Sequence, residues 1–171
     1  EEIAALVKSK GSVFHTDAVQ AVGKAPINLQ KTPIDLLAFS GHKLHAPKGI
    51  GVLYVRRGTR FTPFLIGGHQ EKERRGGTEN TPRIVGLGKA CELAAKNMGK
   101  ENTEVKRLRD KLENELLKRI PQSRVNGDIV NRLPNTTNLS FEGCEAEGLL
   151  MALDLEGIAV STGAACAAGS V

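Results

Sequence analysis

The stretch Leu36-Leu37-Ala38-Phe39-Ser40-Gly41-His42-Lys43-Leu44-His45 decides how the rest of the chain is interpreted. Its apolar first half predicts a buried strand over residues 36–40, and Ser40-Gly41 predicts a turn directly after it. Lys43 follows at once, so the strand delivers an amine to its own carboxyl end. In open α/β sheets, ligands bind at the carboxyl ends of strands. A lysine held there among apolar groups can lose its charge and become a nucleophile, although a solvated loop lysine fits the same residues.

A second strand end precedes this one in the sequence. Ser12-Val13-Phe14-His15-Thr16 predicts a short strand that ends at Asp17. A helical turn over Ala18–Val22 follows and is closed by Gly23. Asp17 and Gln20 are three residues apart, so on a helical turn they share a face.

Together the two strand ends offer the groups that pyridoxal phosphate (PLP) requires. Lys43 can bind the cofactor's aldehyde, and the carboxylate of Asp17 can keep the pyridine nitrogen protonated so that the ring accepts electrons. The amide of Gln20 can donate to the phenolic oxygen of the ring. An alternative stays open, because an aspartate at such a position is commonly a helix N-cap. Both roles are compatible with these residues.

Four segments resemble, in their order and approximate spacing, the signatures of NifS/IscS-type cysteine desulfurases, which are class V aminotransferase-like enzymes of PLP fold type I. They are His15-Thr16-Asp17-Ala18-Val19-Gln20, Ser40-Gly41-His42-Lys43, Arg75-Gly76-Gly77-Thr78-Glu79-Asn80 and Ser161-Thr162-Gly163-Ala164-Ala165-Cys166. The resemblance runs from end to end of the chain. It implies a PLP-dependent enzyme that removes sulfur from L-cysteine, giving L-alanine and a persulfide on Cys166 for iron–sulfur cluster assembly.

The resemblance also implies a role for each matching residue. Lys43 resembles the lysine that binds PLP, and Cys166 the thiol that takes up sulfur, so these two are the expected catalytic residues. Ser40 and His42 resemble residues that bind the cofactor's phosphate. Thr78 resembles a threonine that reaches the phosphate of the neighbouring subunit, which implies a homodimer with shared active sites. The expected cofactor-binding residues are therefore Asp17, Gln20, Ser40, His42, Lys43 and Thr78.

The expected partners are L-cysteine, a sulfur acceptor such as an Fe–S scaffold protein and a second copy of the chain. No resident metal ion is expected, although Cys166 could contact an Fe–S cluster during transfer. Three cysteines without paired spacing argue against a zinc site and a disulfide framework, and they fit a reducing cytoplasm. The net charge is +5, but with no Trp and one Tyr no nucleic acid is expected as a partner. No apolar run is long enough for a bilayer, so no membrane is expected.

Cys166 lies in Ser161–Ser170, a stretch made almost wholly of small residues. Such a stretch buries too little apolar surface to offset its conformational entropy, so we expect an exposed, mobile loop. A thiol on a mobile loop can be delivered to a substrate and then to a partner. Cys91 falls in a helical stretch and is expected to be a small core residue. Cys144, at a turn, is expected to be structural.

The order of elements predicts an α/β fold in two parts. Residues 1–98 are expected to form the C-terminal half of a large PLP-binding domain with a mixed, mainly parallel sheet. Residues 99–171 are expected to form a smaller, incomplete α+β C-terminal domain that presents Cys166. The predicted strands cover 12–16, 36–40, 51–55, 124–126, 136–141 and 158–160, and the predicted helices cover 82–98 (ended by Gly99), 102–120 and 145–155.

Members of the resembling family are longer at both ends, so the chain is expected to be a fragment that is incomplete for turnover. The histidine that stacks on the ring would precede Glu1, and the arginine for the substrate carboxylate would follow Val171. Two alternatives stay open: another class V PLP enzyme, such as a selenocysteine lyase or an aminotransferase, or a non-catalytic sulfur-relay or scaffold module. The small-residue loop with Cys166 argues against an aminotransferase, which has no use for a loop thiol.

Overall fold

The computed structural model describes residues 1–166. The chain divides into two compact units, Glu1–Lys106 and Arg107–Val171, and the second is described through Cys166. We call them unit 1 and unit 2. The domain boundary expected after residue 98 remains a prediction. Among the described residues, no helix combines the length and the apolar character needed to cross a membrane.

Unit 1 contains a three-stranded mixed sheet, which makes this part of the chain an α/β structure. Its strands are β1 (His15–Asp17), β2 (Leu36–Ser40) and β3 (Gly51–Val55), in the order β1-β2-β3. β1 runs parallel to β2, and β3 runs antiparallel to it. The strands predicted over 36–40 and 51–55 are confirmed residue for residue, because both are strongly apolar runs bounded by glycine or serine.

The first strand is shorter at its start than predicted and takes in Asp17 at its end. The amide of Phe14 bonds to a side chain, although its carbonyl accepts from the backbone amides of Asp35 and Leu36. Its N–H donates to Oδ2 of Asp35, at 2.9 Å. Asp35 also accepts from Nζ of Lys8, at 2.9 Å, and thereby ties helix α1 (Glu2–Ser9) to the sheet.

Two small apolar clusters form the core of unit 1. The first contains Ala4 of α1, Ala18, Ile34 and Leu37 of β2. The second joins the segment after β2 to a long helix, α3 (Thr81–Arg119), and its buried members are Leu44, Ala46, Leu87 and Ala90. The second cluster places α3 directly behind the turn that carries Lys43.

The prediction of two separate helices in this region was wrong, because α3 continues through Gly99 without a break. Glycine ends a helix when it adopts positive φ, and Gly99 is not among the residues that do. Its carbonyl instead accepts a bond from Oγ1 of Thr103, at 2.8 Å. The start near Pro82 and the stop before Pro121 are as predicted. The polar loop before α3 contains one distorted helical turn, α2 (Gln70–Glu73).

Unit 2 contains the C-terminal part of α3, an antiparallel pair of strands and a further helix. The strands are β4 (Ser123–Val125) and β5 (Leu139–Phe141), and the helix is α4 (Ala146–Leu155). The side chain of Glu145 caps α4 by accepting from the amides of Glu147 and Gly148, at 3.0 and 2.6 Å. These elements lie close to their predicted positions, although β5 is shorter.

The strand predicted over 158–160 was wrong. The chain there folds back onto the end of α4, where Gly157 has a φ of 76° and the amide of Ile158 donates to the carbonyl of Leu153, at 2.9 Å. This amide is therefore used in the helix cap. Ile158 and Val160 are each 50% exposed, so packing gives no reason for an extended strand.

Candidate cofactor-binding site

Two adjacent strand ends bring the expected cofactor groups to one edge of the sheet. Because β1 and β2 are parallel, with Asp17 opposite Ala38, both strands end at the same edge of the sheet. The amide of Ala18 donates to the carbonyl of Ala38, at 2.8 Å, and holds the turn after β1 against β2. The expected residues at this edge are Asp17, Gln20, Ser40, His42 and Lys43.

Lys43 lies in a short 3₁₀ helix, Gly41–Leu44, which we call the lysine turn. Gly41 is required sterically, since an added Cβ would lie 2.9 Å from Cγ2 of Ile50 and 3.1 Å from Cδ1 of Leu87. Its amide also donates to the carbonyl of Ile50, at 2.9 Å. The lysine turn is thus packed tightly against Ile50 and Leu87, and the side chain of Lys43 is half-buried.

Ser40 and His42 form a hydrogen-bonded pair, with 2.7 Å between Oγ and Nδ1. If the hydroxyl donates to Nδ1, the imidazole keeps an N–H on Nε2, and if Nδ1 donates, the hydroxyl keeps its own proton. In either arrangement the pair presents a donor outward. A protonated imidazole would leave two donors, which suits a phosphate dianion.

Asp17 caps the turn that follows it, because its Oδ1 accepts from the amide of Val19, at 2.8 Å. The N-cap interpretation is therefore correct for this oxygen. Asp17 is exposed, and its Oδ2 has no hydrogen-bond partner among the described residues. A carboxylate held by one oxygen and open at the other fits a protonated ring nitrogen. The side chain of Gln20 is exposed as well.

Two expected site residues are not brought to this edge by any described contact. Thr78 is exposed and lies between Gly77 and the start of α3, without a hydrogen bond to the other five residues. Cys166 is exposed and belongs to unit 2. The predicted encounter between Cys166 and Lys43 stays a prediction, and residues 167–170 of the predicted mobile loop lie outside the described residues.

The other two cysteines differ from each other. Cys91 is half-buried in α3 and packs against the cluster around Leu44, as predicted for a core residue. Cys144 is exposed at a turn, so the expected structural role is not supported by packing. Among the described residues, no group of three or more His, Cys, Asp or Glu side chains could hold a metal ion.

Sequence reasoning missed Lys24, which lies in the turn after β1. Its Nζ donates to the carbonyl of Gln20, at 3.3 Å. Burial, and to a lesser extent the charge of Lys43, hold the pKa of Lys24 below its ordinary value. In the sequence it is one of 24 basic residues, and only its position four residues after Gln20 hints at this arrangement.

This edge of the α/β sheet carries an amine, a half-open carboxylate, an amide and a hydroxyl–imidazole pair, and this set of groups fits what PLP requires. The chain belongs to the aminotransferase class-V family, whose model matches residues 1–171.

Individual proteins of this family show which members the chain is most usefully compared with. The chain is 58% identical over 171 residues to a cysteine desulfurase from Nostoc sp., a match that covers 100% of this chain and 43% of the relative. A solved structure of a NifS-like protein from Rickettsia africae is similar with a TM-score of 0.89 at 37% identity, covering 95% of this chain and 45% of that one. A structure of SspA in complex with cysteine has a TM-score of 0.72 at 33% identity, with 98% and 45% covered. The chain thus spans less than half the length of these relatives.

Proposed function

We propose that this chain is the part of a PLP-dependent cysteine desulfurase that holds the cofactor and the sulfur-accepting thiol. The enzyme would remove sulfur from L-cysteine and supply it to iron–sulfur cluster assembly. The observation that carries the proposal is the meeting of the Asp17–Gln20 turn with the lysine turn at the ends of two parallel strands. The names of the relatives, cysteine desulfurase and NifS-like protein, support the choice of reaction.

Each site residue of unit 1 would bind a different part of the cofactor. Lys43 would bind the aldehyde, and the free Oδ2 of Asp17 would pair with the protonated ring nitrogen. The amide of Gln20 would donate to the phenolic oxygen, while Ser40 and His42 would bind the phosphate through the donors that their mutual bond leaves free. Bound PLP would supply an electron-accepting ring that stabilises negative charge on the α-carbon of the amino-acid substrate.

The remaining steps belong to side chains of this chain. Lys43 would carry the proton to and from the substrate's α-carbon, since its amine is the base that the lysine turn holds at the site. The thiol of Cys166 would attack the substrate's sulfur. A sulfur–sulfur bond forms, the carbon–sulfur bond of L-cysteine breaks, and the products are L-alanine and a persulfide on Cys166. The electron pair of the broken carbon–sulfur bond stays on carbon, and that carbon takes up the proton lost by the thiol to become the methyl group of L-alanine.

We also propose the partners and setting. Thr78 would bind the cofactor phosphate of a second copy, which makes the enzyme a homodimer with shared active sites. The persulfide would pass to a scaffold protein for Fe–S clusters, and the reducing cytoplasm fits a thiol that must stay unpaired. We expect unit 1 to complete a larger, mainly parallel sheet in the whole enzyme, and unit 2 to belong to its small C-terminal domain.

Sulfur transfer tests the proposal through a pair of exposed cysteines. In the complete natural protein that contains these residues, Cys166→Ser should keep PLP bound and abolish the formation of L-alanine and persulfide from L-cysteine. Cys144→Ser is the matched control, because it removes another exposed thiol of unit 2, and it should leave the rate unchanged. Full activity in the Cys166→Ser enzyme would remove the thiol step, and lack of PLP in the wild type would refute the proposal as a whole.

A further inference from the structure

The turn after β1, residues 18–25, rests directly on the residue that follows Lys43; we call residues 18–25 the glutamine turn. Gly23, at a φ of 78°, marks the contact. A Cβ at this position would lie 2.4 Å from Cδ2 of Leu44 and 3.5 Å from Cβ of Ala94. The glutamine turn and the lysine turn are therefore in van der Waals contact, and any shift of one is felt by the other.

Helix α3 supports both turns from behind with one face. Leu87 and Ala90 pack against Leu44, and Ala94 approaches Gly23. Two turns further along, Asn102 donates from Nδ2 to the carbonyl of Lys24, at 2.6 Å. This bond joins residues 78 positions apart in the sequence and is partly buried. It is a polar tether at the end of a contact that is otherwise apolar.

Lys24 shows why this tether has consequences for the site. Its carbonyl is held by Asn102, and its ammonium group turns back to the carbonyl of Gln20, at 3.3 Å. Lys24 is thus held both through its backbone carbonyl and through its side chain, and these two bonds fix the backbone of the glutamine turn. Gln20 and the neighbouring Asp17 are the groups assigned to the ring of the cofactor.

We propose that Asn102 is a positioning residue of the cofactor site. By holding the carbonyl of Lys24, it fixes the glutamine turn against the lysine turn and so sets the separation of Asp17 and Gln20 from Lys43. The inference rests on the proposed PLP site. It adds a residue that contacts neither cofactor nor substrate and acts through the backbone of another element.

The test compares Asn102→Ala with Thr103→Ala in the complete natural protein. Thr103 is the matched control, since it lies next in α3 and also bonds a carbonyl, but that carbonyl belongs to its own helix. Two quantities are measured: amide hydrogen exchange over residues 21–25 without PLP, and the dissociation constant for PLP from a titration of visible absorbance. Loss of one partly buried hydrogen bond should speed local exchange and weaken PLP binding, each by about tenfold.

The Thr103→Ala protein should behave as the wild type in both measurements, and global unfolding of the two variants should be alike. Faster exchange in Asn102→Ala with unchanged PLP affinity would overturn the inference, because the tether would then be structural only. Unchanged exchange, or equal weakening in Thr103→Ala, would overturn it as well. A wild type that binds no PLP would instead refute the proposed function, so the two failures are distinguishable.

Discussion

Unit 1 and unit 2 differ in the kind of side chain that each of them buries. In unit 1 the buried side chains are mainly apolar, and they form two clusters, one of which lies behind the lysine turn. In the described part of unit 2 the buried residues are Arg109 and Glu113, both charged, and none is apolar. Apolar side chains such as Leu112, Met151 and Leu155 are exposed there.

The two buried charges in the described part of unit 2, Arg109 and Glu113, form a network of polar contacts with the segment between β4 and β5. Both oxygens of Glu113 accept from the guanidinium of Arg132, at 2.8 and 2.7 Å, and the hydroxyl of Thr137 donates to the same carboxylate. Arg109 donates to the carbonyl of Leu133, at 2.8 Å. Hydrogen bonds from Arg132 and from Thr137 stabilise the charged form of Glu113, and they hold the pKa of its carboxyl group below the ordinary value. The network joins α3 to the segment between β4 and β5.

The stability of the two units therefore depends on different physical interactions. Apolar contact is non-directional, and it fixes the groups proposed to bind the cofactor in unit 1 through tight packing at Gly41 and Gly23. A buried ion pair is directional and fails when one partner is removed. We therefore expect the removal of a single charge to destabilise unit 2 more than it would destabilise a unit with an apolar core.

The largest effect is expected from Glu113→Ala in unit 2. The substitution leaves Arg132, whose side chain is 15% exposed, without its carboxylate, and it removes the acceptor of Thr137. We expect a loss of about 3 kcal/mol in the free energy of unfolding, from denaturant titration with hydrogen exchange at β4 and β5. Glu115→Ala is the control, because its pair with Arg119 is exposed, and it should cost about 0.3–0.5 kcal/mol. Equal losses in both variants would contradict the contrast between the units.

A smaller effect is expected from Asp35→Asn, the corresponding buried carboxylate of unit 1. The backbone amide of Phe14 and the ammonium of Lys8 hold the pKa of Asp35 below its ordinary value. A carboxylate with a lowered pKa stabilises the fold above the unfolded-state pKa, and this contribution is lost as the pH falls through the folded-state pKa. We expect a cost of about 2 kcal/mol at neutral pH.

The pH dependence is the sharper part of this prediction. Since the unfolded reference is 3.8, the difference between wild type and Asp35→Asn should be constant at neutral pH and shrink as the pH falls below that value. Unfolding followed from pH 7 downward would check it. A difference that does not change down to the acid transition would mean that the charge of Asp35 contributes nothing.

The sequence predicts what depends on local pattern. The strands over 36–40 and 51–55 are apolar runs with clear ends, and the lysine turn follows from Ser40-Gly41. It predicts less where the outcome depends on distant partners. Asp35 meets Phe14 and Lys8, at separations of 21 and 27 residues, and Asn102 meets Lys24 across 78. No local periodicity encodes such bonds. Gly99 was wrongly taken as a helix end for a different reason: a glycine ends a helix when its φ is positive, and Gly99 does not adopt a positive φ.

The proposed function depends most directly on Lys43 as the amine that binds the aldehyde of PLP. Incubating the complete natural protein with PLP, fixing the carbon–nitrogen bond with borohydride and mapping the modified peptide tests it directly. We predict a label on Lys43, with Lys24 unlabelled because its amine is turned to the carbonyl of Gln20. A label on Lys24, or one spread over surface lysines with Lys43 unmodified, would contradict it.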